Sequence, residues 1–444
     1  MNRILVVVVL AFAASCDQAQ PQDKQQERGE KVRSDRKHVE SLGSWIYDDL
    51  PRAVGVAKES GKPLLVSFRC IPCEACAKLD EDVVQRSPAV RKLLDQFVCC
   101  RIPRANGMDL ATFQFDYDQS WAAFMLNPDL TIYGRYGTRS HQTKSEDDVS
   151  LEGFAKALEG ALELHAAYPK NREALARKRG DPPGVKAPEE LPSLKERFGP
   201  ALDWEGNVAK SCMHCHQVVE AQRLAARVAG QPIPEKLLYP YPSPRVLGLV
   251  FDPKERARVR EVGGGSQAEK DGFKAGDDLT TLAGQPVISI ADVQWVLHGA
   301  GDSGALDAEV TRAGAPVKLK LTLPEGWRQK GELSWRASSW DLRRMTTGGL
   351  SLEEMPDADS AKLGLTNSVL ALRVKHVGGF GEHAAAKKAG FREGDVIVSV
   401  QSRTDRMTES ALMAWLARTT KRGQSVPVTV LRAGTRLDLA LPMQ

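Results

Sequence analysis

The sequence has no large excess of charge of either sign. Its 444 residues include 61 Lys and Arg and 57 Asp and Glu, which gives a net charge of +4 with neutral histidines. Nucleic-acid binding relies on a basic surface that this balance does not provide, so we expect no nucleic-acid partner. The sequence also lacks a G-x-S-x-G motif, and we do not predict proteolysis. Its length predicts about three domains.

The N-terminus lacks an apolar run long enough to span a bilayer as a helix. Residues 4–14 are apolar, follow a positive residue and end in small side chains before Cys16. This pattern resembles a bacterial lipobox, with Ala13 in place of the usual Leu, which implies acylation of Cys16 and a lipid anchor in the membrane. The alternative is an ordinary signal peptide cut near Ala14. Either reading of residues 1–16 predicts an exported protein of the periplasm or cell envelope.

Residues 17–44 have few apolar side chains and many Gln, Lys and Asp. Such a segment cannot bury enough apolar surface to offset its conformational entropy. We therefore expect a disordered tether between the membrane and the first domain.

Cysteine is scarce but clustered. Eight are present, and the seven besides Cys16 are Cys70, Cys73, Cys76, Cys99, Cys100, Cys212 and Cys215. An odd number leaves one thiol unpaired or means that some are not disulfides. Clustering in an exported protein favours redox or cofactor chemistry over scattered structural bridges.

Residues 45–168 read as one α/β domain. Short apolar runs predict strands at residues 64–68, 97–102 and 122–126, the last with a hairpin partner at 131–136. The motif Cys73-Glu74-Ala75-Cys76 follows the first strand and opens a helix. The spacing from strand to motif resembles the thioredoxin superfamily, which implies a thioredoxin-like fold and dithiol exchange.

The position of the dithiol suggests a role for each thiol. A thiolate at a helix N-terminus faces unpaired N–H groups, so its pKa falls, and Cys73 is the predicted reactive thiol. Cys76 lies one turn further on and can resolve the mixed disulfide. The superfamily's cis-proline is replaced by Ser120-Trp121. Because Cys70 and Cys73 form a second C-x-x-C, a static disulfide and a metal site remain alternatives.

The segment at residues 201–240 follows a Pro-rich, charged stretch, 169–200, that reads as a linker. The segment contains Cys212-Met213-His214-Cys215-His216, a C-x-x-C-H motif. It resembles c-type cytochromes, which implies covalent haem c on Cys212 and Cys215 with His216 on the iron. A disulfide, or zinc bound through His214 or His216, is the alternative. No nucleotide cofactor is indicated.

The last 200 residues contain an internal repeat. Units at residues 241–326 and 345–444 share a Gly-rich turn, a Gly-Phe-x-x-Gly-Asp motif and a closing Arg-Ala-Gly, and a Trp-rich connector at 327–344 joins them. They resemble bacterial, protease-associated PDZ domains, which add a peptide C-terminus as a strand beside a Gly-containing loop. The residues that correspond to this loop are Gly248 and Leu249 in the first unit, and Gly348, Gly349 and Leu350 in the second. We expect the second unit to be the working one, with the backbone N–H groups near Gly348–Leu350 receiving the carboxylate of the peptide.

These features predict a multidomain chain of α/β and β-rich character: a thioredoxin-like α/β domain, a small helical haem-motif segment and two PDZ-like, partly open β-barrel domains. The leading hypothesis is an exported thiol-disulfide or electron-transfer redox protein that docks a protein or peptide partner through the PDZ units. The alternative is a non-catalytic surface scaffold with structural cysteines.

Overall fold

The computed structural model describes residues 21–71, 77–139, 147–181 and 184–444. The predicted lipidation site Cys16 and the predicted catalytic pair Cys73 and Cys76 lie outside the described residues. Among the described residues, no helix is both long and apolar enough to cross a membrane.

A five-stranded mixed sheet forms the first domain. Its elements are α1 (Pro21–Ser41), β1 (Ile46–Tyr47), α2 (Leu50–Ser60), β2 (Leu64–Arg69), α3 (Ala77–Val84), α4 (Pro88–Leu94), β3 (Val98–Ile102), β4 (Trp121–Leu126), β5 (Ile132–Tyr136) and α5 (Leu151–Ala166). The strand order is β1-β3-β2-β4-β5. The β2–β3 pair is parallel, whereas β2–β4 and β4–β5 are antiparallel. The predicted strands and hairpin are confirmed.

Helices cover both faces of this sheet, which explains the unbroken apolar runs of its strands. Helix α2 packs on one face, while α3, α4 and α5 pack on the other. The neighbouring thiols of β3 divide accordingly, because successive strand side chains point to opposite faces. Cys99 belongs to the core beneath α3–α5 and Cys100 to the core beneath α2.

The expected disordered tether is wrong for its described part, which forms α1. One face of the helix carries Val32 and Val39, which are buried at 1% and 0% exposure. Between them Asp35 bonds the buried guanidinium of Arg101 at 2.9 Å and accepts from the Tyr47 hydroxyl at 2.8 Å. Three contacts at a spacing of about one helical turn are enough to dock a helix that is otherwise polar.

The expected linker at 169–200 is not a free spacer either. It contains α6 (Arg172–Ala176), and its buried side chains include Leu175, Leu191 and Leu194. Its Lys178 is fully buried and bonds Asp292 at 2.8 Å. Counting apolar residues missed these anchors because they are isolated among charges.

The remaining elements form a small helical segment and the two repeat units. They are α7 (Val208–Ser211), α8 (His216–Val228), α9 (Glu235–Leu238), β6 (Leu249–Phe251), β7 (Val259–Val262), α10 (Gln267–Lys270), β8 (Asp278–Leu282), β9 (Gln285–Pro286), α11 (Ile290–Gly299), β10 (Gly304–Arg312), β11 (Ala315–Leu323), α12 (Ser339–Thr347), β12 (Leu350–Glu354), α13 (Asp357–Lys362), β13 (Leu372–Val377), α14 (Ala385–Lys388), β14 (Val396–Val400), α15 (Glu409–Thr419), β15 (Ser425–Arg432) and β16 (Thr435–Pro442). The main sheets run β11-β10-β8-β9 and β12-β13-β14-β15-β16, so each is open at both ends.

The two units repeat the same internal bonds. In the first, Arg312 bonds both oxygens of buried Asp277 at 2.7 and 2.8 Å. In the second, Arg432 bonds Asp395 at the same two distances. This ion pair links the Gly-Asp turn to the closing hairpin, so the repeated sequence motifs correspond to one repeated structure.

The first repeat unit packs directly on the first domain. Helix α11 packs on β5, where Gly134 leaves no room for a side chain: an added Cβ would lie 2.3 Å from Ile288. The connector contains Trp327, Trp335 and Trp340, and we expected them to pack the two units together. They do not all do so. Trp327 is buried in the core of the first unit, and Trp340 is 47% exposed.

Candidate functional site

Cys70 marks the point where the predicted dithiol loop leaves the sheet. It follows β2, and its N–H donates to Ser120 O at 2.9 Å. Ser120 and Trp121 stand where the resemblance to thioredoxins places the cis-proline. The preceding residue, Arg69, donates to Asp80 of α3 at 3.2 Å. Buried Asp80 thereby ties together the two sides of the loop, and Cys70 has a fixed place at its start.

The C-x-x-C-H segment is docked on the thioredoxin-like domain beside Cys70. Asn106 holds it there: its side-chain amide donates to Gly199 O at 2.7 Å and to Ser211 O at 3.0 Å, while its carbonyl accepts from Met213 N at 2.8 Å. Ala105 N also donates to Met213 O, at 3.0 Å. The Met213 side chain is fully buried in the domain's core, so the motif is part of this domain's surface rather than an independent module.

This docking brings a thiol and an imidazole together. Cys70 Sγ lies 3.1 Å from His214 Nδ1, although the two residues are 144 positions apart in sequence. Burial, together with the nearby His216 and Arg28, lowers the pKa of His214 to about 4. His214 is therefore a neutral hydrogen-bonding partner of Cys70 at neutral pH.

The two cysteines of the segment, Cys212 and Cys215, also lie near Cys70. Cys212 packs with Val32 of α1 and with Ile71, the residue after Cys70. Burial raises the pKa of Cys212 to about 11. The pKa of Cys215 is also raised, first by burial and then by the charges of Cys70 and Cys212, so the three sulfurs are electrostatic neighbours. Neutral thiols and a disulfide are both favoured over thiolates in such surroundings.

Both thiols of the docked segment pack against the protein. Cys212 lies among apolar side chains with its sulfur 3.8 Å from Pro103 O, and Cys215 packs against the domain core. A cavity of about 740 Å³ next to α8 is lined by Val219 and Gln222 and does not reach either cysteine. Haem attachment would place the ring along both thiols, so haem does not fit the docked segment.

His216 has a polar partner of its own. Its Nδ1 lies 2.8 Å from Glu220 Oε1, one helical turn further along α8. Burial alone would lower the pKa of His216, but the hydrogen bond and charge of Glu220 outweigh burial and raise it. A carboxylate on one ring nitrogen fixes the direction of the other, an arrangement that metal-binding histidines share.

The predicted carboxylate-binding loops are already satisfied internally. In the second unit the N–H groups of Gly348 and Gly349 both donate to Arg343 O, because Gly348 ends helix α12 in a left-handed conformation. In the first unit Gly248 N donates to Arg245 O at 2.9 Å. Our expectation that the Gly348 and Gly349 N–H groups wait to receive a peptide carboxylate is therefore wrong for this arrangement.

The strands that follow these glycines fare differently. Leu249 and Leu350 begin β6 and β12 and are buried in the cores of their units. The next outward N–H of β12, on Leu352, donates to Glu409 Oε1 at 2.7 Å. Glu409 is buried at the start of α15 and bonds Arg343 through its other oxygen at 2.6 Å. A peptide that adds to this strand edge must displace the Glu409 carboxylate.

Loss of the Asn106 side chain should loosen the docked segment. Asn106 is buried and its side chain makes three hydrogen bonds. We therefore expect Asn106→Ala to lower the local opening free energy by about 1–3 kcal/mol. Alkylation of Cys212 should accelerate accordingly under conditions where opening limits labelling. The matched control is Asn127→Ala, which removes a hydrogen bond to Tyr133 far from the segment. Equal acceleration in both variants would contradict the assigned role of Asn106.

The comparisons with known proteins bear on the first domain. Residues 45–128 match the family described as thioredoxin-like. The chain therefore contains a thioredoxin-like domain, as its sequence predicted.

The chain is also similar to curated proteins of a different kind. It is 27% identical over 187 residues to a probable periplasmic serine endoprotease DegP-like protein of Pseudomonas savastanoi pv. phaseolicola (strain 1448A / Race 6), covering 41% of this chain and 36% of that protein. It is 28% identical over 184 residues to the protein of the same name from Marinomonas sp. (strain MWYL1), with the same coverage. The chain spans about a third of the length of these relatives. This similarity agrees with the resemblance of the repeat units to protease-associated PDZ domains.

A solved structure, the HtrA-type protease AlgW with a decapeptide, is 18% identical, with a TM-score of 0.21, and covers 32% of this chain and 49% of that chain. At a TM-score this low the match does not establish a shared fold.

Sequence reasoning found the residue types of the site but not their meeting. It named Cys70, Cys212 and Cys215 separately, and considered His214 only as a zinc ligand. Asn106 was missed, because a single Asn in a loop carries no signal of the segment that it will hold.

Proposed function

We propose that this chain is an exported thiol-disulfide exchange protein whose PDZ-like units hold a peptide or protein partner near the dithiol. The contact between Cys70 and His214 carries the proposal, because it places a histidine and two further cysteines at the start of the thioredoxin-like loop. A purely structural bridge would need none of these additional groups.

The reaction is the reduction of a partner's disulfide. Cys73 attacks one sulfur of the partner, the second partner sulfur leaves as a thiol, and Cys76 attacks Cys73 to release the first sulfur. The partner gains two electrons and two protons, and the chain ends with a disulfide. The periplasmic names of the DegP-like relatives support the same compartment for this chain, with the Cys16 lipid anchor as part of the proposal.

Covalent haem on Cys212 and Cys215 is a second proposal, favoured by the Glu220 contact that would orient His216 towards an iron. It requires the C-x-x-C-H segment to leave its place on the thioredoxin-like domain before attachment.

The test is reduction of a disulfide-bonded peptide with a free C-terminal carboxylate by the pre-reduced full chain, followed as thiol release. We expect the Cys70→Ser, Cys73→Ser double variant to abolish release, because it removes both thiols of the Cys70-x-x-Cys73 pair. Cys99→Ser is the matched control and should react normally, because burial raises the pKa of this thiol to about 12 and it lies within the core. If the unsubstituted chain releases no thiol, the scaffold alternative stands instead.

A further inference from the structure

Two modules that the sequence separates contribute thiols to one site. Cys70 comes from the end of β2, and Cys215 begins helix α8 next to His214, the residue that contacts Cys70 Sγ at 3.1 Å. Cys215 packs against the core cluster that contains Phe68, two residues before Cys70. Cys212 packs with Ile71 on the other side of Cys70. Both thiols of the C-x-x-C-H motif therefore lie beside the end of β2, where Cys70 is.

The same arrangement explains why a haem does not fit there. Asn106 and Ala105 fix the segment through Met213, and its two thiols pack against core clusters of the domain. A pair of thiols with two residues between them, next to another thiol, is instead suited to disulfide exchange.

We propose that Cys215 resolves a mixed disulfide formed on Cys70, and that Cys212 then closes a disulfide with Cys215. The C-x-x-C-H motif is thus a second dithiol that exchanges electrons with the thioredoxin-like loop. The inference rests on the proposed function and adds a route for its electrons. Its substrates are disulfide-bonded peptides or proteins.

The steps balance with the substrate disulfide as the oxidant. Cys70 attacks one substrate sulfur, forms a mixed disulfide and releases the other substrate sulfur as a thiol. Cys215 attacks the Cys70 sulfur, which breaks the mixed disulfide and releases the second substrate thiol. Cys212 attacks Cys215 and returns Cys70 to its thiol form beside His214, whose Nδ1 lies in hydrogen-bonding range of that sulfur. The substrate gains two electrons and two protons, and Cys212 and Cys215 become a disulfide.

The experiment uses the full chain and oxidised glutathione as the probe disulfide. A variant with Cys73→Ser, Cys76→Ser and Cys212→Ser keeps Cys70 and Cys215 and removes the later step. We expect it to release both glutathione molecules as thiols and to give a peptide cross-linked between Cys70 and Cys215 by mass spectrometry. Adding Cys215→Ser should stop the reaction with one glutathione attached to Cys70.

The outcomes separate the inference from the function on which it rests. A stable glutathione adduct on Cys70 while Cys215 remains alkylatable would overturn the inference alone, as would a Cys70 that does not react although the unsubstituted chain does. No reaction at any cysteine of the unsubstituted chain would overturn both. The unsubstituted chain gives a test that does not depend on whether the variants fold. In this chain the same probe should produce the Cys212–Cys215 disulfide.

Discussion

Replacing Arg336 by Leu should destabilise the protein by about 3–5 kcal/mol, because it leaves two buried carboxylates without their positive partner. Arg336 comes from the connector before α12, and it bonds Asp116 at 2.7 Å and Asp118 at 3.1 Å in the loop before β4. Asp118 also accepts from Ser338 N at 2.7 Å. This cluster joins the thioredoxin-like domain to the connector between the repeat units. Urea denaturation of the full chain measures the loss of stability in the variant.

The control for this variant is an ion pair with similar geometry but different burial. Arg258 bonds both oxygens of Asp278 at 2.8 Å, yet both side chains are more than a third exposed. Exposed pairs contribute about 0–1 kcal/mol, so Arg258→Leu should have a small effect. Equal losses in the two variants would show that burial of Arg336 is not what makes it important.

The same cluster predicts how stability depends on pH. Burial, opposed by Arg336 and assisted by Asp118, raises the pKa of Asp116 to about 6. Burial would also raise the pKa of Asp118, but Arg336 and Arg223 lower it. The folded protein therefore keeps a proton on Asp116 at pH values where the unfolded chain has lost it. Its contribution to stability falls as pH rises from the unfolded pKa of about 4 to about 6. Asp116→Asn should remove that slope from the dependence of stability on pH. A variant whose stability has the same slope between about pH 4 and 6 would contradict the assignment.

Removing the Cys70 thiol should disconnect Cys212 and Cys215 from the substrate. In the Cys70→Ser chain we expect oxidation of Cys215 by a disulfide-bonded peptide to slow by on the order of 100-fold, which corresponds to about 3 kcal/mol in activation free energy. The physical reason is that Cys215 is half-buried against the domain core and burial raises its pKa, so it reacts with a neighbouring sulfur and not with one in solution. Timed alkylation and peptide mass spectrometry measure the rate.

Cys100→Ser is the matched control for that variant. Cys100 is a buried thiol of the same domain, and burial raises its pKa to about 12. In the Cys100→Ser chain we expect the disulfide-bonded peptide to oxidise Cys215 at the same rate as in the unsubstituted chain. Rapid oxidation of Cys215 in the absence of Cys70 would mean that substrates reach the C-x-x-C-H motif by another path.

The parts of the fold that depend on local sequence were predictable. The runs at β2 and β4 predicted strands because a sheet covered on both faces is apolar at every position. The repeated Gly-Asp and Arg-Ala-Gly motifs predicted two equivalent units because each pair forms one ion pair, as Asp277 does with Arg312.

The parts that depend on distant partners were not predictable. Helix α1 looks disordered because its apolar face is two valines and its polar anchor, Asp35, needs an arginine 66 residues away. The Gly348 and Gly349 N–H groups were expected to be free because the sequence does not show that α12 ends on them. The contact of Cys70 with His214 depends on Asn106, which holds the segment from a third position.

The central claim is that Cys212 and Cys215 are exchangeable thiols that belong to the same site as Cys70. The most direct measurement is peptide mass spectrometry of the full chain, expressed together with the cytochrome c maturation system and alkylated after reduction. Our account predicts that both sulfurs of the peptide containing Cys212 and Cys215 are alkylated. In a chain that has first met a disulfide substrate, we expect this alkylation only after reduction. The same peptide recovered with haem bound through both sulfurs would contradict it.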